Sequence, residues 1–120
     1  MATQQEIGEL GEKLAQQYLK KLGYKIQATN WHYGHLELDI VALDGDELVV
    51  VEVKARSGIR YEHPSEAVTS GKMRRIVEAA DAYIQETDSE LETRFDIITV
   101  IFFGQKHELE HFKDAFYPLL

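Results

Sequence analysis

Residues 34–56 read GHLELDIVALDGDELVVVEVKAR. Two apolar runs, Leu36–Leu43 and Leu48–Ala55, flank the polar Asp44-Gly45-Asp46-Glu47. Asp-Gly between alternating hydrophobic residues marks a β-hairpin, because both residue types tolerate the positive φ of a tight turn. With Gly45 and Asp46 as the loop, Leu43 faces Leu48, Val41 faces Val50, Asp39 faces Glu52 and Glu37 faces Lys54. With Asp44-Gly45 as the loop, Asp39 moves opposite Val50 and Glu37 opposite Glu52. In either register the odd positions of the first strand share a face with the even positions of the second. A one-residue slip would exchange the faces.

That shared face carries Glu37, Asp39, Glu52 and Lys54. The other face, with Leu36, Leu38 and Ile40 against Val51, Val53 and Ala55, predicts uninterrupted core. Near the turn the charged face is also apolar (Val41, Leu43, Leu48, Val50), so the hairpin reads as buried on both sides with its charges gathered at the far end. Buried carboxylates are costly unless paired or bound to metal. Two readings fit: a structural ion-pair cluster around Lys54, or a divalent-cation site. Three acids against one lysine leave a surplus of negative charge that a hard cation would neutralise through oxygen ligands.

The chain has 120 residues, the size of one domain spanning 1–120 with a real core. It has no cysteine, which removes disulfides, thiolate metal sites and thiol chemistry. No apolar run reaches the ~18 residues of a membrane span and no signal peptide is visible, so a cytoplasmic protein with no membrane partner is expected. The net charge of −8 runs against nucleic-acid binding, which normally draws on Lys and Arg. The charge is uneven, however. Residues 54–75 hold Lys54, Arg56, Arg60, Lys72, Arg74 and Arg75 against Glu62 and Glu66, a positive strip beside the hairpin, while residues 76–92 hold six acids and no Lys or Arg.

Upstream of the hairpin, residues 4–22 predict an amphipathic helix with an apolar stripe of Ile7, Leu10, Leu14, Tyr18 and Leu22, stopped by Gly23. Gly8, Gly11, Glu12, Ala15 and Leu19 form a second flank of mostly small residues. Glycines inside a helix cost ~1 kcal/mol each relative to alanine, so they imply that another backbone or a ligand comes close. Residues 24–33 read as a strand leading into the hairpin. Its Trp31, His32 and Tyr33, with His35, suit base stacking or packing at a sheet edge. Downstream, residues 57–64 are a loop whose Arg60, Tyr61 and His63 suit a polar ligand. A second helix from Ser65 or Ser70 to Thr87 carries a stripe of Met73, Ile76, Val77, Ala80 and Ile84. Residues 88–93 read as an acidic linker, Phe95–Phe103 as a buried strand and 107–113 as a final edge strand. His107 and His111 are spaced i,i+4, but on a strand and without a third ligand they make a poor metal pair. The order is α-β-β-β-α-β, with a last strand: a mixed β-sheet flanked by helices, of the α/β class.

Asp39 followed by Glu52-Val53-Lys54 on the next strand resembles the PD-(D/E)XK nuclease core. An E-x-K alone is a weak signal. The ordered set is specific: Gly11-Glu12, Ala15, Tyr18-Leu19, Gly23-Tyr24, Asn30, Glu37-Leu38-Asp39, Val51 through Arg56, Lys72, and Arg94-Phe95-Asp96. Over nearly all its length the chain resembles a family of small bacterial proteins predicted to be endonucleases, distantly similar to archaeal Holliday-junction resolvases. It departs from that pattern in two places. His35 and Leu36 separate Gly34 from Glu37, where glycine commonly precedes the glutamate, and Ala55 stands where threonine is frequent.

The resemblance implies a restriction-endonuclease-like fold and a metal-dependent DNA endonuclease hydrolysing phosphodiester bonds, with branched or distorted DNA arising in repair or recombination as a candidate substrate. It implies Mg²⁺ or Mn²⁺ held by Asp39, Glu52 and the Val53 carbonyl. Lys54 would orient or help deprotonate the attacking water, and Glu12 would reach in from the first helix as a water-mediated metal ligand or a partner of Lys54. Glu37 would support the site and Lys72 would approach a phosphate. Arg56, Arg60, Lys72 and Arg75 are the candidate DNA contacts. A homodimer is expected if two strands are to be cut, and a partner protein is a second possible source of positive surface. The alternative is a non-catalytic nucleic-acid- or protein-binding module on the same fold.

Overall fold

Thr3 opens the first helix, α1 (Gln4–Lys21), through a capping box: its hydroxyl accepts from the Glu6 N–H while Glu6 accepts from the Thr3 N–H. Gly23, at φ 93°, follows the Leu22 cap, as its position after two lysines predicts. The computed structural model describes residues 2–59 and 63–117. Its further elements are β1 (Lys25–Tyr33), β2 (Leu36–Asp44), β3 (Glu47–Ser57), the short α2 (Pro64–Ala67), α3 (Ser70–Thr87), β4 (Glu92–Phe103) and β5 (Lys106–Phe116). The expected second helix is thus two pieces, the longer one capped by the Thr69 hydroxyl. The expected linker at 88–93 already belongs to β4 from Glu92, and the final edge strand runs longer than 107–113.

One five-stranded sheet has the order β1-β2-β3-β4-β5. Only the β3–β4 pair is parallel, with α2 and α3 in the crossover; the other pairs are antiparallel. Helices α1 and α3 cover opposite faces, so the fold is a mixed α/β sheet flanked by two helices, as the element order predicts. The α3 face is packed by Leu36, Leu38, Val41, Val50, Ile76, Ala80 and Ile97, and the α1 face by Ala15, Leu19, Ile40, Val49, Val51 and Val100. Trp31 packs edge-on against Tyr83 at 5.2 Å, so packing rather than base stacking occupies that ring.

The buried side of α1 is the small flank. Gly11, Ala15 and Leu19 are buried, while Leu10 and Leu22 of the expected stripe are about half exposed. The small residues let the helix axis approach β3. A Cβ built on Gly11 would stand 2.5 Å from the Ala55 Cβ, whereas one on Gly8 meets nothing within 4 Å. Gly11→Ala should therefore destabilise the protein by about 1–3 kcal/mol of overpacking in spite of alanine's better helix propensity. Gly8→Ala should stabilise it by roughly 0.5–1 kcal/mol. Urea unfolding of the two variants checks the pair, and equal shifts would contradict the close approach.

The hairpin turns at Gly45-Asp46, with Leu43 opposite Leu48 and Val41 opposite Val50, the first of the two registers above. Toward the charged end, however, the side-chain alternation changes phase. Leu36 and Leu38 lie in the α3 core, but Ile40 and Ala42 lie in the α1 core, so the three residues Leu36, Leu38 and Ile40 do not share a face. The neighbouring strand shifts with it: Ala28 and Trp31 pack on the α3 core. Between the pairs Thr29–Ile40 and Trp31–Leu38, Asn30 stands across from Asp39 with a left-handed φ of 47°. A left-handed residue inside a strand kinks the ladder locally, and this one sits where the site is built.

Candidate functional site

The β2–β3 ladder ends at the pair Ile40–Val51. Beyond it Asp39 substitutes a side-chain bond for a ladder bond: its Oδ2 accepts the Val53 N–H at 2.9 Å. The group of Val53 that meets Asp39 is thus its N–H, whereas the expected ligand is its carbonyl. Glu52 points to the α3 side of β3 and is only 6% exposed. Its Oε2 has no hydrogen-bond donor, and Lys72 Nζ stands 3.7 Å away, within ion-pair reach but too far for a hydrogen bond. Burial, and after it close contact with the Asp39 carboxyl, push the Glu52 pKa well above the usual carboxylate range, against the opposing charges of Lys72 and Lys54. Asp39, Glu52, Lys54 and Lys72 are thus brought together.

Glu12 reaches the same place from α1, on the other side of the sheet. Burial, then the charge of Asp39, raise its pKa to about 7, while a hydrogen bond from Asn30 works the other way. Asn30 Nδ2 donates to Glu12 Oε1 and to Glu37 Oε1, each at 3.0 Å. Glu37 therefore does not face Lys54 or Glu52 across the hairpin. It pairs with His32 on β1 and is held by Asn30, because the phase change at Asp39 turns it toward α1. Glu12 takes Asn30 as its hydrogen-bond partner, not Lys54.

The candidate DNA contacts fare unevenly. Lys54 is exposed beside Glu52, and Lys72 leans on Glu52 from the first turn of α3. Arg75 is exposed on α3. Arg56 donates its Nε to the Ile59 carbonyl at 2.6 Å and so braces the loop after β3. Arg60 and Tyr61 lie outside the described residues.

Among the described residues no three His, Asp or Glu side chains converge as a ready cage for metal. Two carboxylates and one backbone carbonyl suffice for a hard cation that keeps several waters, which is how Mg²⁺ usually binds. The unpartnered Glu52 Oε2 is the observation that fits such an ion. A buried acceptor without a donor is disfavoured unless something positive occupies the space before it. The Asp39 carboxyl and Glu52 Oε2 are the groups that would hold it.

A second polar cluster lies on the α1 face at the turn end of the hairpin, and only its local pieces are visible in the sequence. Arg94, 6% exposed, donates Nε and Nη2 to both oxygens of the fully buried Asp96, Nη1 to Asp44 and Glu47, and Nη2 to the Tyr24 hydroxyl. Asp96 also meets His111 Nε2 at 2.7 Å and accepts the Asp114 N–H. Burial presses the Asp96 pKa upward, but His111 and Arg94 together hold it below the ordinary value. His111 is spent here, with Tyr18 on its other nitrogen, and is no metal ligand partner for His107. By closing on Asp44 and Glu47, Arg94 clamps the hairpin turn in the observed register.

Residues 11–100 match the family described as Uncharacterised protein family UPF0102. The chain is 48% identical over 120 residues to a UPF0102 protein of Bacteroides thetaiotaomicron, covering 100% of this chain and 99% of the relative. It is 49% identical over 117 residues to one of Parabacteroides distasonis, covering 98% and 97%. A more distant relative from Chlorobium chlorochromatii is 43% identical over 119 residues, covering 93% and 92%.

Proposed function

The chain belongs to the uncharacterised protein family UPF0102, and we propose that it is a Mg²⁺- or Mn²⁺-dependent DNA endonuclease with a PD-(D/E)XK, restriction-endonuclease-like site. The observation that carries this reading is the buried Glu52 Oε2, left without a donor beside Asp39 and flanked by Lys54 and Lys72. When bound, the ion neutralises charge on the phosphate oxygens and makes water a better nucleophile. The protein's part is positional. Asp39 and Glu52 would hold the ion, with the Val53 carbonyl as the third candidate ligand. Lys54, exposed at the mouth, orients the attacking water and places a fixed positive charge against the phosphate. Lys72, 3.7 Å from Glu52 Oε2, is the cation that would turn to a phosphate oxygen with the acid's charge neutralised. Until then the acids repel the DNA backbone, so metal and DNA binding are positively coupled.

End-labelled single-stranded, duplex, flapped and four-way-junction DNA, incubated with Mg²⁺, Mn²⁺ or EDTA, tests the proposal. Metal-dependent cuts that vanish in Glu52→Ala and in Lys54→Ala are the expected result, and the ranking of substrates shows whether branched DNA is preferred. A second reading is a non-catalytic nucleic-acid- or protein-binding module, and the net charge of −8 favours its protein-binding form. Intact metal binding with no cut in any substrate would select it.

A further inference from the structure

Asn30 belongs to none of the expected site roles, yet it joins three elements at the site's rim. It sits on β1 across from Asp39 and reaches Glu12 on α1 and Glu37 on β2 with one amide nitrogen. We propose, on the nuclease reading of this site, that Asn30 is a positioning residue whose side-chain amide clamps Glu12 and Glu37 and so sets where Glu12 stands beside Asp39.

The residue type follows from two demands at once. The backbone is left-handed at φ 47°, a conformation open mainly to Gly, Asn and Asp. The partners are two carboxylates, which need donors. Glycine takes the conformation but has no donor, and aspartate would add a third negative charge. Asparagine alone supplies two N–H donors, no charge and tolerance of the backbone. Asn30 is exposed, so water competes for its hydrogen bonds. The kinked backbone offsets that by aiming the amide before Glu12 arrives. The same kink accompanies the phase change that turns Glu37 toward α1, so strand geometry and clamp are one feature.

The test uses the full-length protein. Mn²⁺ affinity by calorimetry is measured for wild type, Asn30→Gly, Glu12→Ala and the double variant. Asn30→Gly permits the left-handed backbone and deletes the side chain that carries the amide. It should weaken Mn²⁺ binding about 10- to 100-fold, as loss of a group that orients ligands typically does. It should have little further effect once Glu12 is alanine. Unchanged affinity in Asn30→Gly overturns the proposal, and so does an equal loss in the Glu12→Ala background. In parallel, the Asn30 side-chain amide resonances of metal-free protein should shift in both Glu12→Ala and Glu37→Ala. If wild type binds no Mn²⁺, the nuclease reading fails on its own, and these resonances still decide the clamp: a shift in both variants keeps it, and no shift overturns it.

Discussion

Glu52→Gln should make the metal-free protein more stable at pH 8 while abolishing metal-dependent cleavage. The stability gain follows from the site's cost to the fold. Glu52 is buried, touches a second carboxyl and has one oxygen without a donor. An unsatisfied buried polar group costs about 1–3 kcal/mol, and more when charged. Glutamine keeps the shape, carries no charge and offers its amide to Asp39, so a gain of about 1–3 kcal/mol at pH 8 is expected. The pH dependence has a definite sign. Glu12 and Glu52 are both raised above the ordinary value of 4.5, Glu12 to about 7 and Glu52 further. Their folded forms hold protons that the unfolded chain has released. The associated stability is present below about 4.5 and is lost as the pH rises through 7 and beyond. Urea unfolding across pH 5–9 should show stability falling in wild type, a flatter profile in Glu52→Gln, and recovery of wild type at pH 8 on adding Mg²⁺ or Mn²⁺. On the proposed nuclease reading cleavage should drop at least about 10³-fold, because several kcal/mol of charge stabilisation would go with a lost metal ligand. A less stable Glu52→Gln would mean that the Lys72 pair outweighs the burial of the carboxylate, and would remove the main support for an ion at this place.

Arg94→Met should be the most destabilising single change, at about 3–5 kcal/mol. Removing one partner of a buried ion pair strands the other, and here Asp96 would remain fully buried with only His111 and one backbone N–H against its charge. The hairpin would also lose the bonds that Arg94 donates to Asp44 and Glu47. For a domain whose whole stability is of order 5–15 kcal/mol, that is enough to bring partial unfolding within reach of physiological temperature. Arg94→Met combined with Asp96→Asn should regain part of the loss, because no unpaired charge is then buried. Thermal unfolding of the single and double variants checks this, and a loss under about 1 kcal/mol in the single variant would show that water reaches Asp96.

What could be read from the residues alone was local. Gly23 stops the first helix, the Asp-Gly turn between two apolar runs makes the hairpin, and the β-branched run from Phe95 marks a buried strand. The pairing of Asp39 with Glu52-Val53-Lys54 was legible because it needs only that hairpin. Periodicity was less reliable for α1. Its larger apolar residues suggested one buried stripe, but Gly11, Ala15 and Leu19 won the sheet because small side chains permit the closer approach to Ala55.

Turn chemistry and hydrophobic period act over a few residues, so the element order, the two-helix α/β layering and the two acid-bearing strands could be read along the chain. Which acids meet depends on packing between distant segments. Strict alternation puts Glu37 beside Lys54, but a single left-handed residue on the neighbouring strand shifts the phase at Asp39 and hands Glu37 to Asn30. Likewise the register, ambiguous at the turn, is held by Arg94, which lies 50 residues beyond Asp44. Both outcomes rest on contacts between segments far apart in the chain, where one backbone dihedral or one buried guanidinium outweighs the local pattern.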